Sequence, residues 1–168
     1  MRLLLSGLDR FPAMTDLIAP LLEESITIDA PPEHVWSLVS DLARMSRWSP
    51  QVVKTIVRGR PIQLGTTMVN LNRRGLLVWP TRTKVVRFEP QQEIAFRVKD
   101  NFTIWSLTLT SDGAGGTVLT QRREAPDGVS PVSRTLTDKV LGGVTSFQTE
   151  LAAGMRETLA KIKVDAER

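Results

Sequence analysis

"ITIDAPPEHVWSLVSDLARMSRWSPQV", residues 26–52, sets the architecture of the chain. The stretch just before and into it, "ESITID" at 24–29, alternates weakly and runs into Ala30-Pro31-Pro32. Proline is at home in the first turn of a helix, where its missing N–H would be unpaired anyway, so a strand ends here and a helix begins. From Glu33 the apolar residues Val35, Trp36, Leu38, Val39 and Leu42 fall on one side of a 3.6-residue wheel, with Ser37, Ser40 and Asp41 opposite. A second short turn through Ala43 to Ser46 must stop before Trp48-Ser49-Pro50, because proline disfavours helix in the residue before it.

Beyond Pro50 the texture changes. "VVKTIVRG", "TTMVNLNR", "LLVWPTRTKVVRF", "EIAFRVKD", "TIWSLTLT" and "TVLTQRRE" are short, rich in β-branched and aromatic residues, and punctuated by Gly, Pro, Asp or Asn. Consecutive strands with short links predict an antiparallel meander, and "SDGAGG" at 111–116 is its clearest hairpin signal. After the loop "APDGVSP" at 125–131, Leu136, Val140, Val144, Phe147, Leu151, Met155, Leu159 and Ile162 recur at three- and four-residue steps. The pattern predicts a long amphipathic helix from Val132 that must lie on an apolar surface, and the sheet is the surface available. Gly143 and Gly154 fall near its apolar stripe, and each costs a helix roughly 1 kcal/mol relative to alanine. They imply a close approach of another backbone, a bend, room for a ligand, or a helix that starts again after Gly143.

The fold class is therefore α+β, with a curved seven-stranded antiparallel sheet wrapped on a long C-terminal helix and two short helices between strands 1 and 2. A curved sheet and a straight helix do not match along their whole length, and the gap between them is a natural ligand pocket. At 168 residues and 41% hydrophobic content, one domain over 21–168 accounts for the chain. Residues 1–20, broken by Pro12 and Pro20, read as a poorly packed extension.

Composition removes several chemistries. There are no cysteines and one histidine, so thiolate nucleophiles, disulfides and Cys-ligated metals are excluded and a metal site or other cofactor is not expected. "GAGG" sits between strands, where a turn explains it better than a phosphate loop. His34 flanks the apolar stripe of an outer helix and reads as solvent-facing. The start lacks a complete signal-peptide apolar region and no stretch is long enough to span a membrane, so the expectation is a cytoplasmic protein. A net charge of +4 with basic doublets only, Arg73-Arg74 and Arg122-Arg123, gives no expectation of nucleic-acid binding.

The quoted stretch, with Ala30-Pro31, Val35-Trp36, Asp41 and Trp48-Ser49-Pro50, resembles the opening signature of the polyketide cyclase/dehydrase group of the START-like (SRPBCC) superfamily. "GTTMVNLNRRGLLVW", "FEP" at 88–90, "IWSLTLTSDGAGGTVLTQ" and the closing helix extend the resemblance over about residues 23–165. It implies a helix-grip fold with a hydrophobic cavity between sheet and terminal helix. Members of the superfamily bind lipids, sterols, polyketides or hormones, and only some are enzymes, so the fold cannot name the reaction.

Strand alternation then assigns faces, since residues two apart share a side. Trp105, Leu107 and Leu109 point inward, as do Ile94, Phe96 and Val98, and Trp79, Thr81, Thr83 and Val85. The family pattern favours Met68, Asn70 and Asn72 inward on the second strand of the meander, and Leu119, Gln121 and Arg123 on the last. The helix supplies Val140, Val144, Phe147, Gln148 and Leu151 as the facing wall. Amides and a guanidinium facing an apolar chamber must be satisfied by a ligand, by water, by a carboxylate or by one another. A one-residue slip in register would reverse every assignment. Glu124 and Asp127, beside the 125–131 loop, are the carboxylate candidates for acid/base work, but no pair is visibly set up for it.

Three functional readings follow. The first is binding of a small hydrophobic ligand, lipid, polyketide or fatty-acyl-like, admitted past the 125–131 loop, with Asn72, Gln121 or Arg123 orienting a polar end. The second is a polyketide cyclase or dehydratase using Arg123 or Glu124. The third is a macromolecular-interaction protein using a basic outer sheet face of Arg82, Lys84, Arg97, Lys99 and Arg122.

Overall fold

In the computed structural model, which describes residues 18–131, 133, 135, 137 and 143–168, seven strands form one antiparallel sheet. β1 (Leu21–Ile28) is followed by α1 (Pro32–Val39), a 3₁₀ turn (Leu42–Arg44) and α2 (Met45–Trp48). β2 (Val52–Arg58), β3 (Thr67–Arg74), β4 (Leu77–Glu89), β5 (Glu93–Val98), β6 (Ile104–Ser111) and β7 (Thr117–Glu124) make the meander, and α3 (Val144–Ala166) closes the chain. The spatial order is β1-β7-β6-β5-β4-β3-β2, so the first strand returns to pair with the last.

The Pro-opened helix behaves as its sequence dictates. Val35 and Val39 are fully buried, and Trp36 meets Phe88 of β4 edge to face at 5.5 Å. Trp48 is buried, and its indole Nε1 donates to Asp165 Oδ2 at 2.8 Å, while Pro50 packs against Gly154. A Cβ on Gly154 would stand 3.3 Å from the Pro50 ring, so this glycine admits a close neighbour. Both contacts tie the turn into the sheet to α3.

Pro80 lies inside β4 without breaking it. The partner register of β5 begins at Thr83, so Pro80 occupies a stretch that pairs with β3 alone, and one side of it needs no N–H. At the 111–116 hairpin Asp112 accepts from the backbone N–H of Ala114 and Gly116, each at 2.8 Å. A Cβ at Gly116 would come within 2.7 Å of the Ile28 carbonyl, which explains the glycine there.

The long helix departs from expectation. Gly143 has φ +92° and ψ 163°, a conformation that favours glycine strongly, and α3 begins at Val144 rather than running unbroken from Val132. Pro131, Ser133, Thr135 and Thr137 are helical, whereas Leu136 and Val140 lie outside the described residues, as do residues 1–17 of the N-terminal stretch. Ile18 to Pro20 are bonded into the domain: Ala19 N–H donates to Gln148 Oε1 at 2.8 Å, and the Pro20 carbonyl accepts from Ala125 N–H at 2.8 Å.

The filled core occupies one end of the helix–sheet interface. Leu159, Ile162 and Ala166 of α3 join Ile28, Val35, Val39, Leu42 and Trp48 with Leu107, Leu109 and Leu119 of the sheet. At the other end the first turns of α3 stand off the sheet. No helix among the described residues is long and apolar enough to cross a membrane.

Candidate functional site: a cavity under the first turns of the terminal helix

The gap holds a cavity of about 170 Å³ between β3–β7 and the start of α3. Trp79, Phe96 and Trp105 line it from the sheet, and Val144, Phe147 and Leu151 from the helix. Each sheet residue arrives by alternation: the outward neighbours Arg82 and Lys84 of β4 are exposed, while Thr81 and Trp79 face in.

The polar wall is Asn70, Asn72 and Thr81 on β3–β4, Gln121 and Arg123 on β7, and Gln148 on α3. Met68 and Leu107, placed inward with them, are packed in the filled core and do not reach the cavity wall. The physical reason is position along the strand: inward residues nearer the filled end are packed into the core instead of facing empty space. Val140 lies outside the described residues. Ile18, Met45, Gln51 and Thr103 line the cavity without any sequence pattern that marks them, while Val129 comes from the loop already singled out.

The inward polar groups divide into two kinds. Thr55 Oγ1 donates to Asn70 Oδ1 at 2.7 Å, and Asn72 Nδ2 donates to Thr81 Oγ1 at 3.0 Å, so these amides are met by neighbours. On β7 the situation differs. Gln121 is 6% exposed, and its Oε1 is buried with no hydrogen-bond partner among the described residues. Arg123 is 5% exposed and donates through Nη1 to the Ala19 carbonyl at 3.1 Å. Among the described residues no carboxylate reaches it, and burial holds its pKa below the usual arginine value.

Arg123 is the one ionisable side chain among the described residues that line the cavity. Glu124 points to the opposite face of the sheet and accepts from Arg87 Nη2 at 2.6 Å, and Asp127 pairs with Arg97 at 2.8 Å. The two carboxylates named as acid/base candidates are therefore engaged outside the chamber. His34 is exposed on α1, and no cluster of three metal-ligating side chains occurs among the described residues. On the outer face Arg82 pairs with Asp100, Arg97 with Asp127 and Arg122 with Glu23, which neutralises much of the basic surface.

A sheet that grips a terminal helix and leaves an apolar chamber beneath it defines a helix-grip, START-like protein with a ligand-binding fold. The chain belongs to the family described as polyketide cyclase / dehydrase and lipid transport, whose profile matches residues 20–167. Among solved structures it is similar to the di-domain aromatase/cyclase StfQ from the steffimycin biosynthetic pathway, at 15% identity and a TM-score of 0.71. That match covers 89% of this chain and 51% of StfQ, so the chain spans about half the length of that protein. The Polyketide_cyc-like protein Cgl2372 from Corynebacterium glutamicum is 27% identical with a TM-score of 0.59, over 85% of this chain and 88% of that one. The Zhui aromatase/cyclase from Streptomyces sp. R1128 matches at 16% identity and a TM-score of 0.65, over 88% and 93% of the two chains. No curated protein sequence matches the chain.

Proposed function

We propose that the protein binds a small hydrophobic molecule, lipid, polyketide or fatty-acyl-like, in the chamber between the sheet and the first turns of α3. The observation that carries the reading is the lining itself: three aromatic side chains of the sheet face Val144, Phe147 and Leu151 across a space of about 170 Å³. Apolar surface removed from water at roughly 25 cal/mol per Å² would supply most of the affinity. The described lining favours binding over proton-transfer chemistry, which needs a titratable group near the working pH; a guanidinium does not titrate there. The pairing of three outer arginines with carboxylates likewise favours the chamber over the outer sheet face as the working surface.

The test uses the neutral dye 1-N-phenylnaphthylamine, whose emission rises in apolar surroundings. The wild-type protein enhances its emission, and Phe147→Asp, with an unchanged far-ultraviolet circular dichroism spectrum, loses that enhancement because a carboxylate on the wall must stay hydrated. A folded Phe147→Asp protein that still binds the dye as wild type does removes the chamber as the site. Native mass spectrometry of protein purified from its own source would then reveal a ligand retained from the cell.

A further inference from the structure

We propose that the ligand is a hydroxylated carboxylic acid, with its carboxylate on Arg123, its hydroxyl on Gln121 and its apolar body against Trp105, Phe147 and Leu151. This assignment rests on the apolar-ligand reading above and adds the chemistry of the polar end. It starts from two groups on β7: Gln121 Oε1, without a partner among the described residues, and Arg123, whose described partner is a single carbonyl.

A guanidinium withdrawn from water without a counter-charge is costly, and the described residues offer Arg123 only the Ala19 carbonyl. Its planar fork presents paired N–H donors that match a carboxylate in two parallel bonds. One cation also sets the charge of its partner: a phosphate head, at about −1.5 to −2 near neutral pH, would leave negative charge unmatched among the described lining residues, of which Arg123 is the one cation.

Gln121 is the next inward residue on the same strand, roughly 7 Å along it. Its unpaired Oε1 is an acceptor, which repels an anion and calls for an O–H or N–H on the ligand. Its depth orders the two contacts. Leu119, one further inward position along β7, is sealed in the core, whereas Arg123 bonds to Ala19 at the N-terminal edge. The carboxylate therefore sits at the Ala19 end and the hydroxyl lies deeper in the chamber. Asn70 Oδ1 and Asn72 Nδ2 are already bonded to Thr55 and Thr81.

The experiment is competition against bound 1-N-phenylnaphthylamine on the full chain with three probes: 3-hydroxydecanoate, its methyl ester, and decanoate. Wild type is expected to prefer the hydroxy acid over the ester by at least about tenfold, the margin of one charge-assisted contact, and over decanoate by a smaller factor. Arg123→Met removes the preference for acid over ester and keeps the preference for the hydroxyl, and Gln121→Met does the reverse. Equal affinity of wild type for acid and ester, or for hydroxy acid and decanoate, overturns the assignment, as does a preference that survives in its own variant. Dye binding without competition by any probe also overturns it while leaving the apolar chamber standing, and a wild-type protein that binds neither dye nor probes overturns both. The wild-type ratios decide the matter even if a variant fails to fold.

Discussion

Asn72 and Arg123 face the same chamber and are treated in opposite ways. The amide of Asn72 reaches Thr81 on the adjacent strand, a short cross-strand contact that any alternating pair of polar residues could make. Arg123 has a longer reach and a full charge, yet its described partner is a single carbonyl. Such a residue costs stability in the empty protein. Arg123→Met should therefore raise the melting temperature; about 1 kcal/mol of relief corresponds to a rise of about 2–4 °C in a chain of this size, read by calorimetry without ligand. A fall in melting temperature would mean that the guanidinium is already well satisfied. The family pattern, applied to alternating strands, places both side chains on the inner face. It cannot distinguish the satisfied amide from the unsatisfied cation, because that depends on which side chain lies opposite across a strand pair, and on Ile18 to Pro20, whose residues carry no periodic signal.

Elements show the same division. The helix entered through Pro31-Pro32 and the exit at Trp48-Ser49-Pro50 are local events, governed by proline geometry and a one-sided apolar stripe, and they are legible as sequence. The start of α3 is legible only as one of several readings of Gly143, because the apolar repeat continues across it as though the helix did not stop. The backbone at Gly143 is one that side-chain-bearing residues adopt at a cost of order 1–3 kcal/mol, so Gly143→Ala should lower the free energy of unfolding by about that amount in urea titrations. An unchanged midpoint would mean that the turn relaxes freely. The break matters to the chamber because Val144, Phe147 and Leu151, which form its helical wall, are set in direction by where the first turn begins.

Across the whole molecule, an ion pair ties the helical wall of the chamber to the sheet from outside. Arg74 on the β3–β4 hairpin meets Glu150 of α3 at 2.6 Å, and that hydrogen bond holds the Glu150 carboxyl below its ordinary pKa. Lys163 does the same for Glu167, helped by the Asp29 N–H, and at Asp100 the bonds to Arg82 outweigh a burial effect of opposite sign. A carboxyl depressed in the folded state stabilises it above the unfolded pKa of about 4 and loses that contribution as pH falls through and below that value. Melting temperature should thus be insensitive to these three groups between pH 5 and 8, within the range marked by that unfolded value, and fall on the acid side. Glu150→Gln should flatten part of that acid limb, and because the pair is partly exposed, salt should flatten it as well. An acid limb of the same slope in Glu150→Gln would remove the pair from the account.

The order of elements and the family signature followed from residues alone, and the faces of β3 and β7 from the family pattern, because proline, glycine and two-residue alternation act within a few positions of the chain. The return of β1 to β7, the hollow left at one end of α3 and the bond of Arg123 to the Ala19 carbonyl are set by residues about a hundred positions apart. They depend on how a curved sheet meets a straight helix, and on which side chains that mismatch leaves without a neighbour.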